Sequence, residues 1–146
     1  MSIRSKIYIV FISSIMLLLS SCQGQSSVAK VVQVIDGDTV IIAGGYHVRY
    51  IGIDAPEKDE KYYLESTQLN KELIEGKRVR LEKDISEKDK YGRLLRYVHV
   101  DNTFVNAEIV RLGYAYAKAY PPDIKYQSYL EAMETEAKQM KTGIWK

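Results

Sequence analysis

Between Val28 and Ile53 the chain runs through short stretches rich in β-branched residues, punctuated by Asp36-Gly37 and Gly44-Gly45. That pattern restricts this segment to short strands joined by tight turns. Val28, Val31, Val32, Val34 and Ile35 predict a first strand, Thr39 to Ile42 a second and Tyr46 to Ile53 a third. Gly44-Gly45 reads as a two-residue hairpin loop, since both glycines tolerate positive φ. In that register Ala43 faces Tyr46, Val40 faces Arg49 and Asp38 faces Ile51, making Asp38 and Arg49 diagonal neighbours on one sheet face. Beyond Pro56 the spacing becomes helical through Tyr62, Ser66, Leu69 and Leu73, with Gly76 placed to end the helix. Two further strands alternate around Val79 and Leu81 and around Leu95, Tyr97 and His99, separated by the charged loop Asp84 to Arg93. Asp101-Asn102 is a turn, Val105 to Leu112 a short helix stopped at Gly113, and Tyr126, Leu130, Met133, Ala137 and Met140 stripe a final helix. The expected fold is α+β and mainly β, a five-stranded OB-type barrel with about three helices.

The first 21 residues have a different character. Arg4 and Lys6 precede a mainly apolar run from Ile7 to Leu19 and then small residues, the order of a secretory signal. The run is shorter than a membrane span. Leu19-Ser20-Ser21-Cys22 resembles a bacterial lipoprotein box, in which Cys22 becomes the lipidated first residue of the mature chain. The expected organisation is a signal peptide over 1–21, a lipidated Cys22 with a flexible polar tether over 22–27, and one domain over 28–146. Such a chain is exported and held at a bacterial cell membrane, facing the periplasm or the extracellular space. Cys22 is the only cysteine, which excludes an intramolecular disulfide and a CxxC zinc site. The chain carries 21 Lys and Arg against 19 Asp and Glu, and loss of Arg4 and Lys6 brings the two counts level. Nucleic-acid binding therefore has to come from a local cluster of basic residues and not from global charge.

Pro56 stiffens the loop Asp54-Ala55-Pro56-Glu57. Asp36, Asp38, Asp54 and Glu57 are expected to converge, with Arg49, on one end of the hairpin. Several carboxylates in so small a region repel one another unless a cation sits among them. Oxygen ligands without His or Cys suit a hard ion, and an exported protein meets Ca²⁺. Taken singly, Asp-Gly and Asp-X-Pro are also ordinary turn sequences; the set together with Arg49 favours a site. Lys90-Tyr91-Gly92-Arg93, taken alone, is a charged solvated loop with a glycine turn. Tyr91, Tyr114, Tyr116 and Tyr120 offer either base-stacking platforms or core packing. Tyr120, just before Pro121-Pro122, and Tyr91, beside Arg93, are the first candidates for substrate contact, with Lys90 next to them. His47 and His99 read as structural or exposed strand residues, and Trp145 as a packing residue for the last helix.

Read in order, Ile35-Asp36-Gly37-Asp38-Thr39, Arg49-Tyr50-Ile51-Gly52-Ile53-Asp54-Ala55-Pro56-Glu57, Lys90-Tyr91-Gly92-Arg93, Val105-Asn106 and Gly143-Ile144-Trp145 resemble the staphylococcal nuclease (thermonuclease) family. The resemblance covers nearly all of the chain after the leader. It implies a Ca²⁺-dependent phosphodiesterase that cleaves DNA and RNA at the 5′ oxygen, leaves 3′-phosphate ends and has low sequence specificity. By motif position it implies metal ligation by Asp38, Asp54 and the Ala55 carbonyl, with Asp36 in support. It also implies Glu57 as general base or water positioner, and Arg49 and Arg93 as the pair on the scissile phosphate. No protein partner is implied, and a monomer is expected. Members of the family that keep the barrel and lose the chemistry make an inert nucleic-acid-binding module the alternative, but Arg49, Glu57 and Arg93 are all present here. The tyrosine segment after Gly113 is one residue shorter than the family pattern, the hairpin before Arg49 is also shorter, and Ala55 stands where the family has a hydroxyl residue.

Overall fold

A computed structural model describes residues 26–146. The expected signal peptide and the lipid-bearing Cys22 lie outside the described residues. The first strand, β1 (Ser26–Val34), is nine residues long and serves two neighbours. Its first half pairs antiparallel with β5 (Arg78–Glu82) and its second half with β2 (Thr39–Ile42), with a register shift between Val31 and Gln33 where it bends. Ser26 and Ser27, expected in the tether, pair with Glu82 and Leu81. β2 pairs with β3 (Tyr46–Tyr50), and β5 pairs with β6 (Leu94–Val100). A parallel pairing of β3 with β6, Val48 opposite Leu94, closes the sheet into a barrel and removes its edges. This is the five-stranded OB-type barrel.

The hairpin register differs from the expected one by a residue. Thr39 faces Arg49 and Ile42 faces Tyr46, so the loop holds three residues, Ala43, Gly44 and Gly45. The Gly45 N–H donates to the Ile42 carbonyl at 3.0 Å, and Gly44 and Gly45 have φ of 91° and 79°. A turn closed at Gly45 with positive φ at its third residue uses one glycine for the turn and the other to rejoin the strand. The expected third strand also splits. Gly52, at φ 79°, turns the chain after Tyr50, and Ile53–Asp54 forms a separate short strand, β4. β4 pairs with β8 (Tyr116–Ala117), while β7 (Thr103–Phe104) extends the sheet beside β6.

Three helices pack on the barrel: α1 (Tyr63–Ile74), α2 (Val105–Arg111) and α3 (Gln127–Met140). Val31, Val40, Val48, Ile53, Ile74, Val98, Ile109 and Leu130 are fully buried between them. The inward face of α1 centres on Ser66, Thr67, Asn70 and Ile74; of the expected stripe Ser66 is fully buried, while Leu69 and Leu73 pack against the core half-buried at its edge. Its polar residues are buried because they hold loops in place. Asn70 accepts from the Tyr50 hydroxyl at 2.9 Å and donates to the Asp36 carbonyl at 2.8 Å, and Ser66 donates to the Tyr114 carbonyl at 2.8 Å. On α3 the stripe ends early, with Leu130 and Ala137 buried and Met140 exposed. Among the described residues no helix is long and apolar enough to cross a membrane.

Candidate active site

The Asp36-Gly37-Asp38 bend enters β2 pressed against α1 and the Asp54–Glu57 loop. An added Cβ on Gly37 would lie 1.9 Å from Ser66 Oγ and 2.7 Å from Ala55 Cβ, so only glycine lets the two acidic loops meet. Asp36 Oδ1 accepts from the Asp38 N–H at 3.0 Å, closing the bend. Asp38 is turned inward. Its Oδ2 accepts from the Ala55 N–H at 2.7 Å and its Oδ1 from the Thr39 hydroxyl at 3.0 Å.

Arg49 stands between the acids. Its Nη2 is 3.1 Å from both Asp38 Oδ2 and Asp54 Oδ1, while its Nη1 donates to the Tyr50 and Ile53 carbonyls at 2.7 and 2.9 Å. The contact with Asp38 survives the register difference although the Asp38 carbonyl accepts from the Tyr50 N–H at 2.9 Å, because the bend before β2 turns its side chain toward Arg49. The first positive charge among these carboxylates is this guanidinium, in the company expected for it. Burial nevertheless pushes the Asp38 carboxyl up to about 6, against the opposing pull of Arg49 and with Asp36 adding to the rise.

A cleft of about 620 Å³ opens over this floor and gathers Asp36, Asp38, Arg49, Asp54, Glu57, Lys90, Tyr91, Arg93 and Tyr120 on one surface. Glu57 is exposed at its rim. Ala55 is buried and does not line the cleft. Of the tyrosines considered for stacking, Tyr91 and Tyr120 line it and are 72% and 42% exposed. Tyr114 and Tyr116 do not line it; they pack edge-on against Tyr62 and Trp145. His47 is exposed on β3, and His99 stacks on Phe104 with ring centroids 4.6 Å apart, both outside the cleft.

Three residues important to the site carried no functional reading in the sequence. Asp89 organises the Lys90–Arg93 turn: its Oδ1 accepts from the Tyr91 and Arg93 N–H groups at 2.9 and 3.0 Å, and its Oδ2 from Arg93 Nε at 2.7 Å. With Nε so held, the two terminal nitrogens of Arg93 are free of that contact and form a fork. An Asp three residues before a glycine turn is the signal that could have revealed it. Asp123, buried, accepts from the Ile85 and Ser86 N–H groups at 3.0 and 2.7 Å and ties the Tyr120 segment to the basic loop. Lys118 donates to Asp54 Oδ2 at 2.7 Å. Neither has a local sequence signal, because each acts on a residue more than 30 positions away.

Six carboxyl residues (Asp36, Asp38, Asp54, Glu57, Asp89 and Asp123) line the cleft against three cations (Arg49, Lys90 and Arg93). Among the described residues no three His, Cys, Asp or Glu side chains stand close enough to hold a metal by themselves. A set of two carboxylates and a backbone carbonyl does not require three. The donors fit a hard cation: they are oxygens, and the Asp38 and Asp54 carboxylates face the same cleft.

The fold places the chain in the OB class, whose strand faces and loops bind oligonucleotides. The sequence model of the family described as staphylococcal nuclease homologue matches residues 47–146. Thermonuclease of Staphylococcus hyicus is 38% identical over 125 residues, spanning 80% of this chain and 74% of that relative. Thermonuclease of Staphylococcus intermedius is 38% identical over 132 residues, spanning 84% and 77%, and endonuclease YncB of Bacillus subtilis (strain 168) 38% over 122 residues, spanning 76% and 58%. The chain belongs to the staphylococcal nuclease family. Arg49, Asp54, Glu57 and Arg93 fall inside the segment matched by the family model, whereas Asp36 and Asp38 precede it and join them through the hairpin.

Proposed function

We propose that the protein is a Ca²⁺-dependent nuclease that hydrolyses DNA and RNA at the 5′ oxygen of the phosphodiester, leaves 3′-phosphate ends and discriminates little between sequences. The observation that carries this reading is the meeting of Arg49, Arg93, Glu57 and the Asp38–Asp54 pair in one open cleft rimmed by exposed Tyr91 and Tyr120. Six carboxyls line the cleft against three cations, with Lys118 as a fourth on Asp54, so further positive charge would strengthen its hold on a polyanion. Asp38 and Asp54, which line the cleft, would hold the cation, joined from the buried loop beneath by the Ala55 carbonyl, with Asp36 setting the bend that aims Asp38. When bound, Ca²⁺ supplies Lewis-acid stabilisation of the charge that grows on the phosphoryl oxygens.

The remaining chemistry belongs to side chains. Glu57, at the rim, orients a water and takes its proton as the water oxygen forms a bond to phosphorus. The P–O5′ bond breaks, and the departing oxygen, hydrogen-bonded by the Arg93 fork, takes a proton from solvent. Arg93 stabilises charge and does not serve as an acid, because guanidinium keeps its proton. Arg49 can offer its Nε–H and share Nη2, since Nη1 is committed to backbone. Tyr91 and Tyr120 present ring faces to bases, which tolerates any sequence, and Lys90 adds a phosphate contact. We further propose that the enzyme is exported and held at the membrane through lipidated Cys22, with the barrel acting as a monomer on nucleic acid outside the cell.

The test is digestion of single-stranded DNA with Ca²⁺ and then with a chelator. Cleavage that stops on chelation and leaves 3′-phosphate ends is expected. Binding without cleavage under both conditions overturns the reading in favour of an inert binding module.

A further inference from the structure

Both oxygens of the Asp54 carboxylate are taken by cations of the chain itself: Oδ1 by Arg49 Nη2 at 3.1 Å and Oδ2 by Lys118 Nζ at 2.7 Å. A divalent cation that uses Asp54 meets a positive charge already on each oxygen, and the repulsion between like charges favours moving one of them away. Arg49 is the poor candidate, since its side chain is only 12% exposed and its Nη1 is fixed by two carbonyls. Lys118 is the better one: its side chain is 51% exposed, and a single ammonium sits on a flexible four-carbon stem. Its backbone cannot follow, because the Lys118 N–H is bonded to the Gly52 carbonyl at 2.9 Å, next to β4. A displaced ammonium therefore stays at the cleft mouth, where it already lies 5.4 Å from the ring centroid of Tyr120.

We propose that Lys118 is a tethered counter-cation with two stations: on Asp54 when the acidic site lacks a metal, and on a phosphate of the bound strand when the metal is in place. In the first station it lowers the affinity of the site for a cation presented without nucleic acid. In the second it adds a positive charge to a cleft whose lining is rich in carboxylates. Metal and nucleic acid are thereby coupled through one side chain, each favouring the arrangement that suits the other. This rests on the assignment of Asp54 as a metal ligand made above.

The test compares wild type, Lys118→Met and Lys118→Arg as full-length chains in neutral detergent. Calorimetric titration with CaCl₂ alone gives the metal affinity. Binding of a cleavage-resistant phosphorothioate oligothymidylate over a range of salt, with Ca²⁺ and with chelator, gives the number of phosphate contacts. For Lys118→Met the Ca²⁺ dissociation constant is expected to fall about fivefold, the weight of a strong rim ion pair. The salt slope of oligonucleotide binding is expected to fall by about 0.7 with Ca²⁺, one phosphate contact, and to stay unchanged with chelator. Lys118→Arg keeps the charge and is expected to follow wild type in both. An unchanged or weakened Ca²⁺ affinity in Lys118→Met, or the same behaviour in Met and Arg variants, overturns the two-station role while leaving the Ca²⁺ site standing. Wild type that binds no Ca²⁺ overturns the metal assignment itself, and this inference with it.

Discussion

Replacing Arg49 with lysine keeps the charge and removes the geometry, and the structure gives both costs. The guanidinium reaches four oxygens from two nitrogens: the Tyr50 and Ile53 carbonyls from Nη1, and the Asp38 and Asp54 carboxylates from Nη2. An ammonium has its three donors on one nitrogen and cannot span the set. If it stays with the carboxylates, two carbonyls lose a donor, at about 1–3 kcal/mol for each buried group left unpaired. Water recovers part of this at the cleft, so Arg49→Lys is expected to lower stability by about 2–4 kcal/mol, a fall of about 10 °C in Tm for a domain of this size. Arg49→Met also removes the charge beside Asp38, whose side chain is 8% exposed, and is expected to cost about 3–5 kcal/mol. Urea unfolding followed by circular dichroism gives both values. At a temperature where every variant is folded, kcat of Arg49→Lys is expected to drop about 10²–10³-fold, the usual loss of one donor to a developing charge. A stability within about 0.5 kcal/mol of wild type would show that these four contacts do not hold the floor of the cleft.

Glu57→Gln, at an exposed rim position, is expected to leave the unfolding midpoint in place and to lower kcat by about 10²–10⁴; an unchanged rate removes Glu57 from the chemistry. Gly37→Ala drives a Cβ into Ser66 Oγ and Ala55 Cβ, and is expected to cost about 1–3 kcal/mol and to depress activity by separating Asp38 from Asp54; full activity would mean the loops need not touch. Asp89 sits below its ordinary value of 3.8, since hydrogen bonds from Arg93 and Tyr91 outweigh the effect of burial. Its contribution to stability is therefore complete above about 3.8 and lost as pH falls through the lower folded value. Asp89→Asn is expected to remove that acid-side loss and, by releasing Arg93, to raise KM; identical acid unfolding curves would refute it. His99 is held below 6.5 first by burial and then by Arg80, against the pull of Glu82. The folded state resists its protonation, so stability is expected to fall as pH drops below about 6.5, and His99→Gln to flatten that slope in urea midpoints measured from pH 7 to 5.

Five barrel strands and three helices were legible because each is local: β-branched runs, helical spacing and glycine stops are written within a dozen residues. The Asp36–Asp38 bend, the Asp54–Glu57 loop and Lys90–Arg93 could be picked out for the same reason, each being a short run of unusual chemistry. Hairpin register was missed, because two glycines in a row are compatible with a loop of two or three residues and only the pairing of the flanking strands chooses. The inward face of α1 was legible only in part: Ser66 is on the expected stripe, but Asn70 is buried to serve the Asp36 carbonyl, a partner that no hydrophobic pattern records.

By itself, then, the amino-acid sequence determined which residues form strands and helices and which side chains bear charge suited to phosphate chemistry, since both follow from the intrinsic properties of neighbouring residues. Arg49 and Arg93, paired from the sequence only through the family resemblance, share a cleft because the parallel pairing of β3 with β6 brings chain segments over 40 residues apart side by side. The separate pairing of β4 with β8 decided that Lys118 meets Asp54 on the side away from Arg49. Such contacts depend on where separate loops come to rest, and that is set by the packing of the whole core.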